Sequence, residues 1–183
     1  MKTVQEQARA RFIGAKNRAQ GEALEEQIEA ACLFYRSLEL ADIEKTPEPM
    51  KVLKRLEEGQ FLCCFEKKAQ PDFQGTFSSG RSVMFDAKST RTGRIHQDAV
   101  SDTQWEYLDR HQKMNALCFV LVSFGDMYAV VPWDDWKRMK ELFGHKYMTR
   151  QEAEGYRVRY NTRGILDFLG WETSKKKRKT EKR

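Results

Sequence analysis

The first twenty residues lack apolar periodicity, but from Gly21 the pattern changes. Leu24, Ile28, Ala31, Leu33, Tyr35 and Leu38 recur at near-helical spacing and predict a helix over 21–40. Glu22, Glu26 and Glu29 fall on its solvated side, and Glu25 lies beside the apolar stripe. Thr46-Pro47-Glu48-Pro49 breaks any helix. Met50, Leu53 and Leu56 then suggest one or two helical turns, with an extended segment as the alternative, and Phe61–Phe65 reads as a strand. Gln70–Phe77 and Arg81–Lys88, joined through Ser78-Ser79-Gly80, predict a hairpin. Ser101 or Asp102 caps a helix reaching about Met114. Leu117–Phe124 and Met127–Pro132 read as strands around Gly125-Asp126, and Trp133–Phe143 as an amphipathic helix. Thr149 and Glu152 have capping-box spacing, Tyr156–Tyr160 alternates, and Gly164–Trp171 is expected to close the core. The order predicts an α/β fold, a central mixed β-sheet with helices on its faces.

Composition sharpens this layout. The chain of 183 residues carries a net charge of +6, unevenly spread. Ser174–Arg183 holds seven basic residues and one Glu, and the first twenty residues hold five basic residues and one Glu. The body between is slightly acidic. The expected division is a basic flexible arm over 1–20, a globular domain over 21–173 and a disordered basic tail over 174–183. The longest largely apolar stretch, Ala116–Phe124, is too short to span a bilayer, and no signal peptide is evident, so a cytoplasmic protein without membrane attachment is expected. Cys32, Cys63, Cys64 and Cys118 form no zinc-type spacing and read as buried free thiols. His96, His111 and His145 are too scattered for a histidine–metal centre. Trp133, Trp136 and Trp171 read as core or dimer surface, whereas for Trp105, next to Gln104, core and base stacking are more closely matched.

The candidate chemistry lies in Pro71-Asp72 and Asp86-Ala87-Lys88. Strand alternation sends Asp86 and Lys88 to one face while Val83, Phe85 and Ala87 supply an apolar anchor on the other. Asp72, on the partner strand, reaches the same place. Converging carboxylates repel unless a cation binds between them, and hard oxygen ligands without His or Cys favour Mg²⁺, with Mn²⁺ substituting. Such a site suits phosphodiester hydrolysis, with Lys88 orienting water or holding phosphate charge. Glu25 is expected to complete it if its helix packs on this sheet. The bare motif arises by chance in on the order of one chain in ten. The competing reading makes Asp72 a turn residue and Asp86–Lys88 a solvated pair.

A longer ordered series adds weight. Gly21, Leu24-Glu25, Ile28 and Tyr35 are followed by Ala41-Asp42-Ile43 and Lys45-Thr46-Pro47-Glu48-Pro49. Then come Asp72-Phe73-Gln74-Gly75, Phe77, Gly80-Arg81, Phe85-Asp86-Ala87-Lys88-Ser89-Thr90, Gln104 and Cys118-Phe119-Val120. From Gly21 to about Trp133 the chain resembles the RecU family of Holliday junction resolvases, within the PD-(D/E)xK nuclease superfamily. The resemblance implies a restriction-endonuclease-like fold with a protruding stalk at about 47–69. It implies a metal site of Glu25, Asp72 and Asp86, with Lys88 as catalytic base and Gln104 in support. It also implies a homodimer that cuts four-way DNA junctions in recombination and repair, where a recombination or branch-migration protein is a further partner class. The family usually has Glu at the position of Asp86, and the Asp72–Asp86 spacing is one residue longer here, taken up in the Ser78-Ser79-Gly80 turn. Arg9, Arg11, Lys16, Arg18, Arg81, Arg91, Arg94, Lys175, Lys176, Lys177 and Arg178 are the candidate DNA contacts. Nuclease action on other branched or duplex DNA, and a non-catalytic junction-binding role, are the alternatives.

Overall fold

The computed structural model describes residues 4–47, 49–65 and 70–170, the side chains from residue 19 onward. The candidate contacts Lys175, Lys176, Lys177 and Arg178, with Trp171 and the side chains of Arg9, Arg11, Lys16 and Arg18, lie outside the described residues.

Helix α1 (Val4–Ser37) is longer than the stretch predicted over 21–40. Its backbone continues through the segment expected to be an arm, because Ala, Arg, Lys, Gln and Glu are strong helix formers and no proline intervenes. It ends earlier than predicted: Glu39 takes a left-handed φ of 53°, and the Leu40 N–H donates back to the Tyr35 carbonyl at 3.0 Å. The chain turns at once into β1 (Ala41–Lys45), a strand the sequence reading missed.

Strands β2 (Met50–Arg55) and β3 (Phe61–Phe65) form a separate two-stranded sheet. The helical turns suggested for Met50–Leu56 are therefore extended; pairing with Phe61–Phe65 overrides the three-residue apolar spacing. Met50, Val52 and Arg55 pair with Phe65, Cys63 and Phe61 on one face, and Lys51 and Lys54 pair with Cys64 and Leu62 on the other. Nearly all of these side chains are exposed, Cys63 included, so the expectation of buried thiols holds for Cys32 and Cys118 only. Burial pushes both of those thiols up to about 12.

The predicted hairpin forms as β4 (Phe73–Phe77) and β5 (Ser82–Ser89). A Cβ on Gly75 would run into the Asp42 carbonyl and Ile43 Cα, so β1 seats against β4 only over a glycine. After β6 (Arg94–His96) come α2 (Asp102–Lys113), capped by Ser101, then β7 (Leu117–Ser123) and β8 (Tyr128–Pro132). The expected helix after Pro132 divides into α3 (Trp133–Lys137) and α4 (Met139–Phe143). The chain continues through β9 (Tyr147–Thr149), the Thr149-capped α5 (Arg150–Ala153) and β10 (Arg157–Val158).

The central sheet has six strands in the order β1-β4-β5-β7-β8-β10. Only the β5–β7 pair is parallel, bridged by α2, so the mixed sheet is as expected. One face packs Phe73, Val83, Phe85, Phe119 and Leu121 against Leu24, Ile28 and Tyr35 of α1, with Phe168 closing below. The other packs Met84, Cys118, Val120 and Val122 against Leu108 of α2 and Trp133, Trp136 and Met139. Among the described residues no helix is long and apolar enough to cross a membrane.

Candidate active site

Register brings the acidic motif together. Phe73 pairs with Phe85, and the same register carried one residue further sets Asp72 beside Asp86. Because Phe73, Phe85 and Ala87 pack toward α1, alternation turns Asp72, Asp86 and Lys88 to the α2 side of the sheet. The two carboxylates are tied reciprocally. The Asp72 N–H donates to Asp86 Oδ1, and the Ala87 N–H to Asp72 Oδ2, both at 3.1 Å.

Lys88 sits between them, its Nζ 3.1 Å from Asp86 Oδ2 and 3.4 Å from Asp72 Oδ2. Asp86 is fully buried, and its Oδ2 accepts no hydrogen bond; the approach of Lys88 is an ion pair without hydrogen-bond alignment. Burial raises the Asp86 carboxyl to about 6, against the lowering pull of Lys88 and with the repulsion of Asp72 adding to the rise. Burial lowers Lys88, but the attraction of Asp86 and Asp72 outweighs it and holds the ammonium above its ordinary range.

Gln104 reaches this pair from the first turn of α2. Its Oε1 accepts from the Ser101 N–H at 3.2 Å and from the Ser101 hydroxyl at 3.1 Å, within a capping box. With Oε1 committed to the cap, Nε2 faces the sheet and donates to Asp86 Oδ1 at 3.1 Å. Gln104 thus links the α2 cap to the Asp86 carboxylate.

Glu25 is placed differently from expectation. It projects from α1 on the opposite side of the sheet, where Lys45 Nζ binds its Oε2 at 2.6 Å. Among the described residues no three His, Cys, Asp or Glu side chains gather into a metal-holding group, so the expected trio is not assembled. Asp72 and Asp86 nonetheless fit a hard divalent cation: both offer buried carboxylate oxygens, and Asp86 Oδ2 meets the Lys88 ammonium without an aligned hydrogen bond. The Lys88 ammonium supplies the balancing charge between them.

The loop after β5 and the start of β6 carry two of the predicted DNA contacts, Arg91 and Arg94. Arg91 Nε donates to Gln20 Oε1 at 2.7 Å, while Gln20 Nε2 donates to the Thr90 carbonyl at 3.2 Å, latching the loop to α1. The Arg94 guanidinium lies 5.5 Å from the centre of the Tyr147 ring. Arg81 is farther along the sheet and donates to the Asn115 carbonyl at 2.9 Å. Trp105 packs edge-on against Trp133 in the core cluster. Thr46, which the motif reading passed over as a functional side chain, is buried next to Asp72; only the β1–β4 register reveals it.

The chain is similar to known proteins along most of its length. Residues 19–173 match the family model of RecU, recombination protein U. The Holliday junction resolvase RecU of Bacillus pumilus (strain SAFR-032) is 28% identical over 159 residues, covering 76% of each chain. That of Staphylococcus aureus (strain JH9) is 25% identical over 174 residues, covering 87% of this chain and 83% of the relative. Among solved structures, Archaeoglobus fulgidus Hjc, a Holliday junction resolvase, aligns with 63% of this chain and 74% of its own at 9% identity and a TM-score of 0.39.

Proposed function

This chain belongs to the RecU family, and we propose from that membership that it is a structure-selective endodeoxyribonuclease that resolves four-way DNA junctions in recombination and repair. The supporting observation is the reciprocal Asp72–Asp86 tether with Lys88 between its carboxylates. A lone surface ion pair needs no such burial.

Mg²⁺, with Mn²⁺ as substitute, is the proposed cofactor; held by Asp72 and Asp86, it would polarise the phosphoryl oxygen and furnish an ionised water. Gln104 fixes the Asp86 carboxylate through the α2 cap. Lys88 is held as an ammonium in the resting site, a state suited to neutralising phosphate charge. Proton abstraction by Lys88 requires its carboxylate partners to be engaged elsewhere first. Glu25 would join only after exchanging Lys45.

A four-way junction is two-fold symmetric, so paired cuts call for a C2 homodimer. The β2–β3 hairpin is the proposed stalk, with Lys51 and Lys54 on one face for phosphate contact and shape readout in place of base readout. Arg91 and Arg94 contact phosphate near the site, and the basic ends add sequence-independent attraction. Such an enzyme acts in the cytoplasm, beside recombination or branch-migration proteins.

Matched junction, flap and linear duplex substrates in Mg²⁺, with Asp86→Asn as control, test the reading. Paired cuts in the junction alone are expected, lost in the variant. Equal cutting of linear duplex would remove the junction assignment, and cutting by Asp86→Asn would remove the metal site.

A further inference from the structure

Thr46 is the last residue before Pro47, where β1 leaves the sheet. Its N–H donates to the Asp72 carbonyl at 2.9 Å, which extends the β1–β4 register one pair beyond Lys45 and Phe73. Directly opposed residues of an antiparallel pair project to the same face with Cβ atoms about 5 Å apart. Lys45 and Phe73 face α1, so Thr46 and Asp72 face the other way. The register on the β5 side places Asp86 next. Thr46, Asp72 and Asp86 therefore form one row across three strands, all three on the α2 side of the sheet.

Thr46 is only 6% exposed, and its Oγ1 has no hydrogen-bond partner. Among the described residues just three buried side-chain atoms lack one: Thr46 Oγ1, Asp86 Oδ2 and Trp133 Nε1. Two of the three fall in this single row. A buried hydroxyl without a partner destabilises the fold, and valine would fill the same space without that penalty. The residue is thus poorly suited to the ligand-free protein and well suited to one with an oxygen ligand beside Asp72.

We propose that Thr46 is a further positioning residue for phosphodiester hydrolysis, its hydroxyl hydrogen-bonding an oxygen, of water or of the phosphoryl group, that enters beside Asp72 in the loaded site. This rests on the nuclease reading above. The hydroxyl fixes the orientation of that oxygen and leaves the charge to Asp72, Asp86 and Lys88.

The test compares the full wild-type chain with Thr46→Val and Thr46→Ser in three measurements. These are thermal unfolding without cation, Mn²⁺ binding by calorimetry without DNA, and single-turnover cleavage of a four-way junction in Mg²⁺. Thr46→Val is expected to raise Tm while lowering cleavage by about tenfold or more, and Thr46→Ser to restore most of the rate. A water ligand shows as weakened Mn²⁺ binding in Thr46→Val; a phosphoryl ligand shows as unchanged Mn²⁺ binding with slowed cleavage. Wild-type cleavage and Mn²⁺ binding in Thr46→Val overturn the proposal. So does a rate loss that follows a lowered Tm and is not rescued by serine. If the wild-type chain leaves junctions uncut, the nuclease reading fails separately, and the Mn²⁺ isotherm decides Thr46: an unchanged isotherm overturns the proposal.

Discussion

Phe85 and Asp86 are consecutive residues of β5, and both are fully buried, yet they face opposite sides of the sheet. Phe85 stacks between Phe73 and Phe119 at centroid distances of 5.0 and 4.5 Å. That side is apolar, packed against α1, and burial there stabilises the fold. Asp86 on the other side meets a second carboxylate, a lysine and a carboxamide, and its raised pKa records a charge that burial disfavours. One strand therefore separates stability from chemistry by a single residue. The two should respond independently to substitution.

Asp86→Asn gives the largest expected separation. Cleavage should fall by about 1,000-fold or more, beyond the ten- to hundredfold typical of an outer partner, while Tm holds or rises. Thermal scans and single-turnover rates on one preparation check both halves; a large drop in Tm would show that the two faces are not independent. Phe85→Ala is the mirror experiment. It should cost about 3–5 kcal/mol in denaturant unfolding, and Mn²⁺ affinity of the fraction still folded should stay near wild type.

Changing pH probes the Asp86 side without mutation. Its folded pKa of about 6 lies above the ordinary unfolded value of roughly 3.9, so the folded state keeps a proton that the unfolded chain has lost. The contribution is fully present below about pH 4 and disappears as pH rises through 6, on the order of 3 kcal/mol in the cation-free protein. Asp109, drawn down to about 2 by Lys113 and Lys137, acts in the opposite sense and only in more acidic solution. The difference between wild-type and Asp86→Asn stability across pH 4–7 isolates the effect; a flat difference would contradict it. Gln104→Leu should be the mildest change, lowering cation affinity by about ten- to hundredfold with little movement in Tm, as read by calorimetry.

Alternating segments were legible without coordinates. The β4–β5 hairpin, the Ser101-capped α2 and the β7–β8 pair all carry local signals strong enough to survive tertiary context. β1 was hidden because Leu38 and Leu40 extend the apparent helical stripe, and only the left-handed Glu39 separates helix from strand. β2 carries a spacing that fits helical turns or an extended segment, because its partner strand, not its own spacing, decides its conformation. β6 and β9, three residues each, are too short to show a period. Of the candidate site residues, Asp72, Asp86, Lys88 and Gln104 were gathered by the fold on one side of the sheet. Glu25 was not, since helical periodicity tells which side of a helix faces the sheet and not which face of the sheet it meets. Thr46 needed a register that no motif encodes.

The reciprocal tether between Asp72 and Asp86 has a bearing on how such chains diverge. Each carboxylate is held by a main-chain N–H belonging to the other strand's segment, so their relative placement is set across the ladder and not along the chain. The turn at Ser78-Ser79-Gly80 lies at the far end of that ladder and can gain or lose a residue without moving either acid. Sequence separation between the two is consequently free to drift during evolution while their spatial relation stays fixed. Profile searches that demand a constant gap will pass over relatives whose chemistry is intact, whereas a search keyed to the cross-strand pair will recover them.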